Sequence, residues 1–270
     1  MTQWNVWASA PQRWVVLRSV MELKLKAMSR GCKVRALAVL FLAGALAGCP
    51  TRPPPPPAEV RGAPPARPAA AHVGKPYDVA PAESLLTVLV YRAGALATAG
   101  HNHVIASHTL TGTIYVPDDL RAASFEVRIA VDALTVDEPG LRAQQGGGDF
   151  PPDVSESARE GTRRNMLGPA LLDAADHPEI VLRALDLAPD PAGAPGSMTA
   201  HLEAELRGEH HPLTVPVRYA LAGDTLTVTG AAPLRQSELG LTPFTALLGA
   251  LAVQDEMRIS FRIVAHAAPR

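Results

Sequence analysis

From Tyr77 onward, apolar and polar residues alternate with a period of two along most of the chain. In residues 124–131, SFEVRIAV, every second side chain from Phe125 to Val131 is apolar. Side chains of an extended strand point to opposite faces in turn, so this period predicts strands with one apolar and one polar face. Eight stretches fit such a strand: 84–92, 109–116, 124–131, 179–187, 198–206, 212–219, 224–230 and 257–265.

Short turn signals separate these stretches, as in Val116-Pro-Asp-Asp at 116–119 and Ala-Gly-Asp at 222–224. Half-buried strands joined by short connections favour an antiparallel sheet, and closure into a barrel removes its exposed edges. We therefore predict an all-β fold, an antiparallel eight-stranded barrel. Two segments interrupt the pattern and predict short helical insertions: 153–174, which Gly161 and residues 168–169 should split into two helices, and 242–252, with one or two helical turns.

The residues before the barrel have the composition of an export signal. Three basic residues between 30 and 35 precede the apolar run 36–47, which is shorter than the about 20 residues that span a bilayer. Its end, LAGC at 46–49, resembles the bacterial lipobox, in which the cysteine becomes the lipid-modified first residue. We predict a signal peptide at 1–48, with Met28 as an alternative start, and lipidation of Cys49. A short uncleaved anchor helix is the alternative.

Residues 49–76 are rich in proline and predict a semi-rigid linker between Cys49 and a barrel domain at 77–268. The chain has two cysteines, Cys32 and Cys49, so none is left for a disulfide in the barrel. These features predict a lipoprotein of the cell envelope that faces the periplasm. Pro50, in place of an aspartate after the lipidated cysteine, resembles sorting to the outer membrane.

Motifs of catalysis are absent from the sequence. It contains no GxSxG elbow, no P-loop, no HExxH and no cysteine in the barrel region that could act as a nucleophile. The formal net charge of −1 lacks the basic excess of a nucleic-acid-binding protein. We predict no catalytic residues and no nucleic-acid partner.

Three of the nine histidines lie in GHNHVIASH at 100–108. On an extended chain His101 and His103 point the same way and could share a zinc or copper ion, with His108 or a carboxylate closing the site. No thiolate and no second closely spaced ligand pair supports that site. Because the histidines follow Gly100 between two strand candidates, we interpret them as a polar loop at the barrel mouth and predict no bound metal.

The order of several pieces is more specific than any one of them. It begins with YDV at 77–79 and continues through SLLTVLVYRAG, GHNHVIA and LTGTIYV to a helical segment that enters a strand, NMLGPALLDAADHPEIVLRA at 165–184. LTVPVRY, RQSELGLTPF and VQDEMRISFRI complete the order. Together they resemble the YceI-like family, the polyisoprenoid-binding domain of bacterial envelope proteins.

The resemblance implies a lipocalin-like barrel around a long apolar tunnel for an isoprenoid chain, in a family whose members are not enzymes. It implies non-catalytic binding, transport or sequestration of a polyprenyl lipid or a quinone tail, with no cofactor other than that lipid. His101, His103 and Ser237 are the candidates for contact with the head group at the mouth. The tunnel wall would be the apolar strand faces: Phe125, Val127, Ile129, Leu202, Leu206, Val215, Val217, Tyr219, Leu226, Val228, Ile259 and Phe261.

Two other functions stay open at this point: a histidine-based metal- or redox-linked module of the envelope, and a structural barrel that binds nothing. The expected partners are the isoprenoid lipid and the membrane, reached through lipidated Cys49. The sequence leaves the choice between a monomer and a homodimer open.

Overall fold

The computed structural model describes residues 72–190 and 193–268. The predicted signal peptide, Cys49 and the linker up to residue 71 lie outside the described residues. Within the described part, no helix is both long enough and apolar enough to cross a membrane.

The described residues form one antiparallel sheet of twelve strands. The strands are β1 (Lys75–Val79), β2 (Leu85–Ala93), β3 (His103–Ser107), β4 (Thr111–Val116), β5 (Ser124–Ala130), β6 (Thr135–Val136), β7 (Glu179–Pro189), β8 (Ser197–Leu206), β9 (Glu209–Ala222), β10 (Thr225–Arg235), β11 (Thr245–Ala246) and β12 (Leu251–Ala267). Two α-helices, α1 (Pro139–Gln145) and α2 (Glu156–Leu167), lie between β6 and β7.

Eight of the strands close into a ring in the order β1-β4-β5-β7-β8-β9-β10-β12, and β12 pairs back with β1. The prediction of an antiparallel eight-stranded barrel with short helical insertions is confirmed. Seven of the eight predicted stretches lie in the ring; the stretch 84–92 forms β2 beside it, and β1, which was not among the eight, completes the ring. The 17-residue strand β12 is long enough to pair with β1 near its end and with β2 over Ala252–Arg262. Strand β2 pairs with β3, and β3 pairs with β6, so these three strands extend the sheet beyond the eight-stranded ring.

The period of two fixes which side chains enter the barrel. Along β8, the residues Met198, Ala200, Leu202, Ala204 and Leu206 are buried, and each residue between them is partly exposed. The interior face of β8 is therefore aliphatic, and the barrel interior as a whole is mostly so, in agreement with the low aromatic content of 4%. Met166 of α2 and Leu172 after it are buried in the same core as Val127 and Ile129.

Two local predictions were wrong, and a third was right in part. GHNH is not wholly a loop, because His103 is the first residue of β3. Helix α2 is not split at Gly161: it continues through this residue and ends at Leu167. A glycine inside a helix costs about 1 kcal/mol. This cost is offset by the N-cap, where the Ser155 side chain accepts from the Ala158 N–H, and by the burial of Met166. Segment 242–252 contains one of the predicted helical turns, the 3₁₀ turn Leu247–Gly249, but the rest of it forms β11 and the start of β12.

Candidate functional site

The barrel encloses a cavity of about 400 Å³. This volume lies in the range of about 300–1,000 Å³ that small-molecule sites occupy. All twelve residues predicted for the tunnel wall line the cavity: Phe125, Val127, Ile129, Leu202, Leu206, Val215, Val217, Tyr219, Leu226, Val228, Ile259 and Phe261. The barrel interior is therefore not fully packed, and the contact of these residues with a ligand stays a prediction.

The cavity is elongated along the strands. Met257, Ile259, Phe261 and Ile263 of β12 all line it, and at about 3.3 Å per residue they cover roughly 20 Å. At one end Leu234, Met257, Val90 and His103 follow one another across four neighbouring strands. Towards the other end Tyr219, Val228 and Ile263 form the equivalent row. This shape fits a narrow chain better than a rounded ligand.

The described residues that line the cavity include no Asp, Glu, Lys or Arg. The polar side chains of the lining are His103, Thr162, Asn165, Gln236 and Tyr219. A charged ligand would therefore lose its hydration without gaining an opposite charge from the wall, which is costly in a protein interior. The wall is therefore suited to an apolar ligand without charge.

His103 connects the cavity to a polar network behind the wall. Its ring nitrogen Nδ1 lies 2.8 Å from Oδ2 of Asp137. His101 Nε2 lies 3.6 Å from the same oxygen, which is beyond hydrogen-bond distance, and the two imidazole rings meet edge to face with centroids 4.5 Å apart. His101 does not line the cavity, so of the two predicted histidines only His103 reaches it.

Asp137 is the centre of this network. Its side chain is fully buried, and Oδ1 accepts hydrogen bonds from the Val104 N–H at 2.8 Å and from Arg142 Nη1 at 2.5 Å. Burial alone would raise the pKa of Asp137, but the side chains of His101 and His103 and the Val104 N–H outweigh it and hold the pKa well below its usual range. Asp137 is therefore an ionised carboxylate that only accepts hydrogen bonds.

Arg142 of α1 holds Asp137 from the side away from the histidines. Its guanidinium is fully buried, with Nη1 donating to the carbonyl oxygen of Asn102 at 2.7 Å and Nε donating to that of Pro151 at 2.8 Å. Asn102, between the two histidines, accepts from the Arg92 N–H and donates to the Asp149 carbonyl. These contacts fix the start of β3 and hence the position of His103.

Sequence reasoning missed Asp137 and Arg142. Isolated charged residues are usually exposed, and nothing in TVDEPGLRA distinguishes these two from surface charges. Asp137 also lies 34 residues from His103. In the structure Asp137 has a φ of 54°, in the left-handed region where Asp is several-fold enriched among residues with a side chain, but the sequence does not reveal this angle.

Ser237 is separate from the histidines. Its backbone N–H and its Oγ both donate to the Asp255 carboxylate, at 2.8 and 2.7 Å, and it does not line the cavity. Its neighbour Gln236 is buried and does line the cavity, and Gln236 Nε2 donates to the Gln254 carbonyl at 2.7 Å.

His101, His103 and Asp137 have the composition of a metal site, and one ligand atom from each lies within 4.8 Å of the others. In this structure, however, Oδ2 of Asp137 accepts from His103, and its Oδ1 accepts from Val104 and Arg142. The guanidinium of Arg142 already balances the charge of this carboxylate, which weakens its attraction for a divalent cation. The arrangement is better suited to orienting an imidazole than to binding an ion.

A model of the YceI-like domain matches residues 77–265. The chain belongs to the YceI-like domain family. No curated protein matches the chain. The crystal structure of BcnA from Burkholderia cenocepacia is 20% identical, with a TM-score of 0.50 over 70% of this chain and 99% of that chain, which supports the same barrel fold.

Two other solved structures match the chain at lower TM-scores. A polyisoprenoid-binding domain from Saccharophagus degradans is 12% identical, with a TM-score of 0.45 over 71% of this chain and 98% of that chain. The YceI protein of Campylobacter jejuni is 6% identical, with a TM-score of 0.42 over 59% of this chain and 82% of that chain.

Proposed function

We propose that this protein binds a long-chain isoprenoid lipid, either a polyprenyl lipid or the tail of a quinone, inside its barrel and carries or sequesters it without catalysis. The observation that carries the proposal is the elongated, uncharged cavity of about 400 Å³, in a chain that belongs to the YceI-like family. Membership of this family supports lipid binding at the level of the family, and the uncharged cavity supports the barrel interior as the site we propose.

The apolar wall provides the affinity. Burial of apolar surface stabilises by about 25 cal/mol per Å², so each buried side-chain-sized piece of the lipid contributes roughly 1.5–3 kcal/mol. Association costs about 4–15 kcal/mol, so several such pieces are needed before binding is favourable. A short prenyl chain should therefore bind weakly, and affinity should rise with the number of isoprene units until the cavity is full.

We propose that the barrel is tethered in the bacterial envelope, through acyl chains on Cys49, and faces the periplasm from the outer membrane. The support is the basic and apolar composition of residues 30–47 and the LAGC ending at 46–49. The proline-rich linker would hold the barrel within reach of the bilayer that supplies its lipid.

Uptake from vesicles tests the proposal. The purified, delipidated chain is mixed with phosphatidylcholine vesicles that contain a trace of radiolabelled polyprenol, then separated from them and counted. We expect saturable transfer of one polyprenol per chain and no transfer of labelled phosphatidylcholine, whose two tails and charged head group do not fit the uncharged cavity. Absence of saturable polyprenol and quinone transfer would contradict the proposal.

A second candidate function, a metal- or redox-linked module, rests on the grouping of His101, His103 and Asp137. Elemental analysis of the protein, purified without a histidine tag, distinguishes the two functions. Stoichiometric zinc or copper, lost in the His101→Ala, His103→Ala double variant, would favour the module.

A further inference from the structure

His103 is the residue that belongs both to the cavity wall and to the buried polar network. On β3 the alternation turns His103 and Ile105 towards the cavity, and it turns Val104 and Ala106 towards a separate small core with Leu141. The Nδ1 side of the ring faces Asp137. Among the described residues, Nε2 has no hydrogen-bond partner.

The chemistry of Asp137 decides which nitrogen of His103 carries the proton. An ionised carboxylate only accepts hydrogen bonds, so the His103 nitrogen 2.8 Å from it must carry a proton. The ion pair with Arg142 at 2.5 Å, fully buried on both sides, keeps the carboxylate charged. In a neutral imidazole with its proton on Nδ1, Nε2 has only a lone pair. When the ring is neutral, His103 therefore presents an acceptor, and not a donor, at the cavity wall.

We propose that His103 Nε2 accepts a hydrogen bond from a hydroxyl group of the bound lipid. The cavity then selects isoprenoids that carry a hydroxyl, such as a prenyl alcohol or a reduced quinone, over those whose polar group only accepts, such as a quinone, an ether or an ester. This inference rests on the proposed function, because it requires that an isoprenoid occupies the barrel.

The selection follows from the cost of an unpaired acceptor. A carbonyl or ether oxygen near Nε2 would place two acceptors together in an apolar cavity, where neither has water to donate to it. The Gln236 amide also lines the cavity, but one of its two N–H groups already donates to the Gln254 carbonyl. A hydroxyl group of the lipid would instead donate a hydrogen bond to the lone pair on Nε2 of His103.

A matched pair of probes tests the selection. Geranylgeraniol and geranylgeranyl methyl ether have the same chain, but only the alcohol can donate. Their affinities for the delipidated full-length protein are measured by competition at about pH 8.5, where imidazole side chains are ordinarily neutral. We expect the alcohol to bind about tenfold more tightly than the ether, the effect of satisfying rather than stranding one buried acceptor.

Three variants locate the source of the preference. His103→Phe keeps a flat ring in the wall and should reduce the preference to less than twofold. His101→Phe is the matched control, because His101 does not line the cavity, and it should keep the preference. Asp137→Asn offers an amide N–H₂ that can donate to Nδ1 and move the proton to Nε2, so the preference should vanish or reverse. Melting temperatures show which variants are folded. If Asp137→Asn does not fold, the comparison of His103→Phe with the wild type still tests the inference.

A diprenyl quinol and its quinone, compared in the presence and absence of reductant, form the second arm. Tighter binding of the quinol than of the quinone supports the same hydroxyl contact, and comparison with geranylgeraniol shows which hydroxyl lipid fits better. Equal affinity of the wild-type protein for alcohol and ether, or a tenfold preference that persists in His103→Phe, would overturn the inference and leave lipid binding intact. A wild-type protein that binds none of the probes would instead refute the proposed function.

Discussion

Val217→Trp distinguishes a cavity that holds a chain from a core that is packed. Val217 lines the cavity from β9, is half-buried, and pairs with Met198 on one side and Gly230 on the other. The larger indole ring enters the cavity if the space is real, and there it occupies volume that a lipid chain would need. We therefore expect a folded barrel that no longer takes up polyprenol.

An empty cavity and a filled core predict stability changes of opposite sign for Val217→Trp. An indole in empty apolar space buries roughly 80 Å² more apolar surface than valine, which at about 25 cal/mol per Å² stabilises the fold by up to about 2 kcal/mol. In a filled core the same substitution destabilises by about 1–3 kcal/mol through overpacking. For a domain of this size, 1 kcal/mol corresponds to a Tm change of about 2–4 °C, so the two outcomes are resolved by a thermal melt.

Fluorescence locates the new side chain. The three native tryptophans, Trp4, Trp7 and Trp14, precede the described residues, so the difference spectrum between variant and wild type isolates the indole at position 217. We expect blue-shifted emission for Val217→Trp. The matched control, Ala220→Trp, lies on the outer face of the same strand and is exposed. It should emit like tryptophan in water and leave polyprenol uptake unchanged.

The result that would refute the reasoning is a Val217→Trp protein whose Tm falls by several degrees, together with wild-type protein that takes up no lipid. That combination describes a packed barrel without a ligand. A Val217→Trp protein that is stable and binds polyprenol as the wild type does would place the lipid outside the cavity.

The remaining predictions concern the anchor and the buried network. Cys49→Ser should release the protein from membranes, because stable anchoring takes two or more acyl chains; fractionation with membranes after a salt wash would place the anchor elsewhere. Arg142→Leu should lower the free energy of unfolding by about 3–5 kcal/mol in urea titrations, because it strands the buried Asp137 charge. The pKa of Asp137 is lower in the folded protein than in the unfolded chain, where it is about 3.9. The ionised carboxylate therefore stabilises the fold above pH 4, and this stabilisation is lost as the pH falls through the folded-state pKa. Asp137→Asn should accordingly lose less stability than the wild type on acidification below pH 4. Protein purified without a histidine tag should carry well below one equivalent of zinc or copper; a stoichiometric ion that depends on His101 and His103 would contradict this.

The barrel could be predicted from the sequence because most of its strands are apolar on one face only. Strand β8 shows the regular alternation from Met198 to Leu206 that its burial follows. The same alternation placed all twelve predicted wall residues on the cavity side. Strand β3 was missed because Val104, Ile105 and Ala106 are buried on both faces, between the main core and the small core beside Leu141, so no polar residue marks a period of two.

The polar network could not be predicted because it depends on tertiary contacts. Asp137 and Arg142 are brought to the start of β3 by the pairing of β6 with β3 and by the short helix α1. Neither residue differs in local sequence from a charge on the surface. Their burial follows from a set of backbone carbonyls and N–H groups, those of Asn102, Val104 and Pro151, that no side-chain pattern reveals.

Native mass spectrometry of the protein purified gently from its own membranes tests the central claim most directly. We predict a population whose mass exceeds that of the chain by one isoprenoid lipid, which is released on denaturation and absent from Val217→Trp. Protein that carries no lipid after gentle purification, and that takes up neither polyprenol nor quinone from vesicles after delipidation, would contradict the claim.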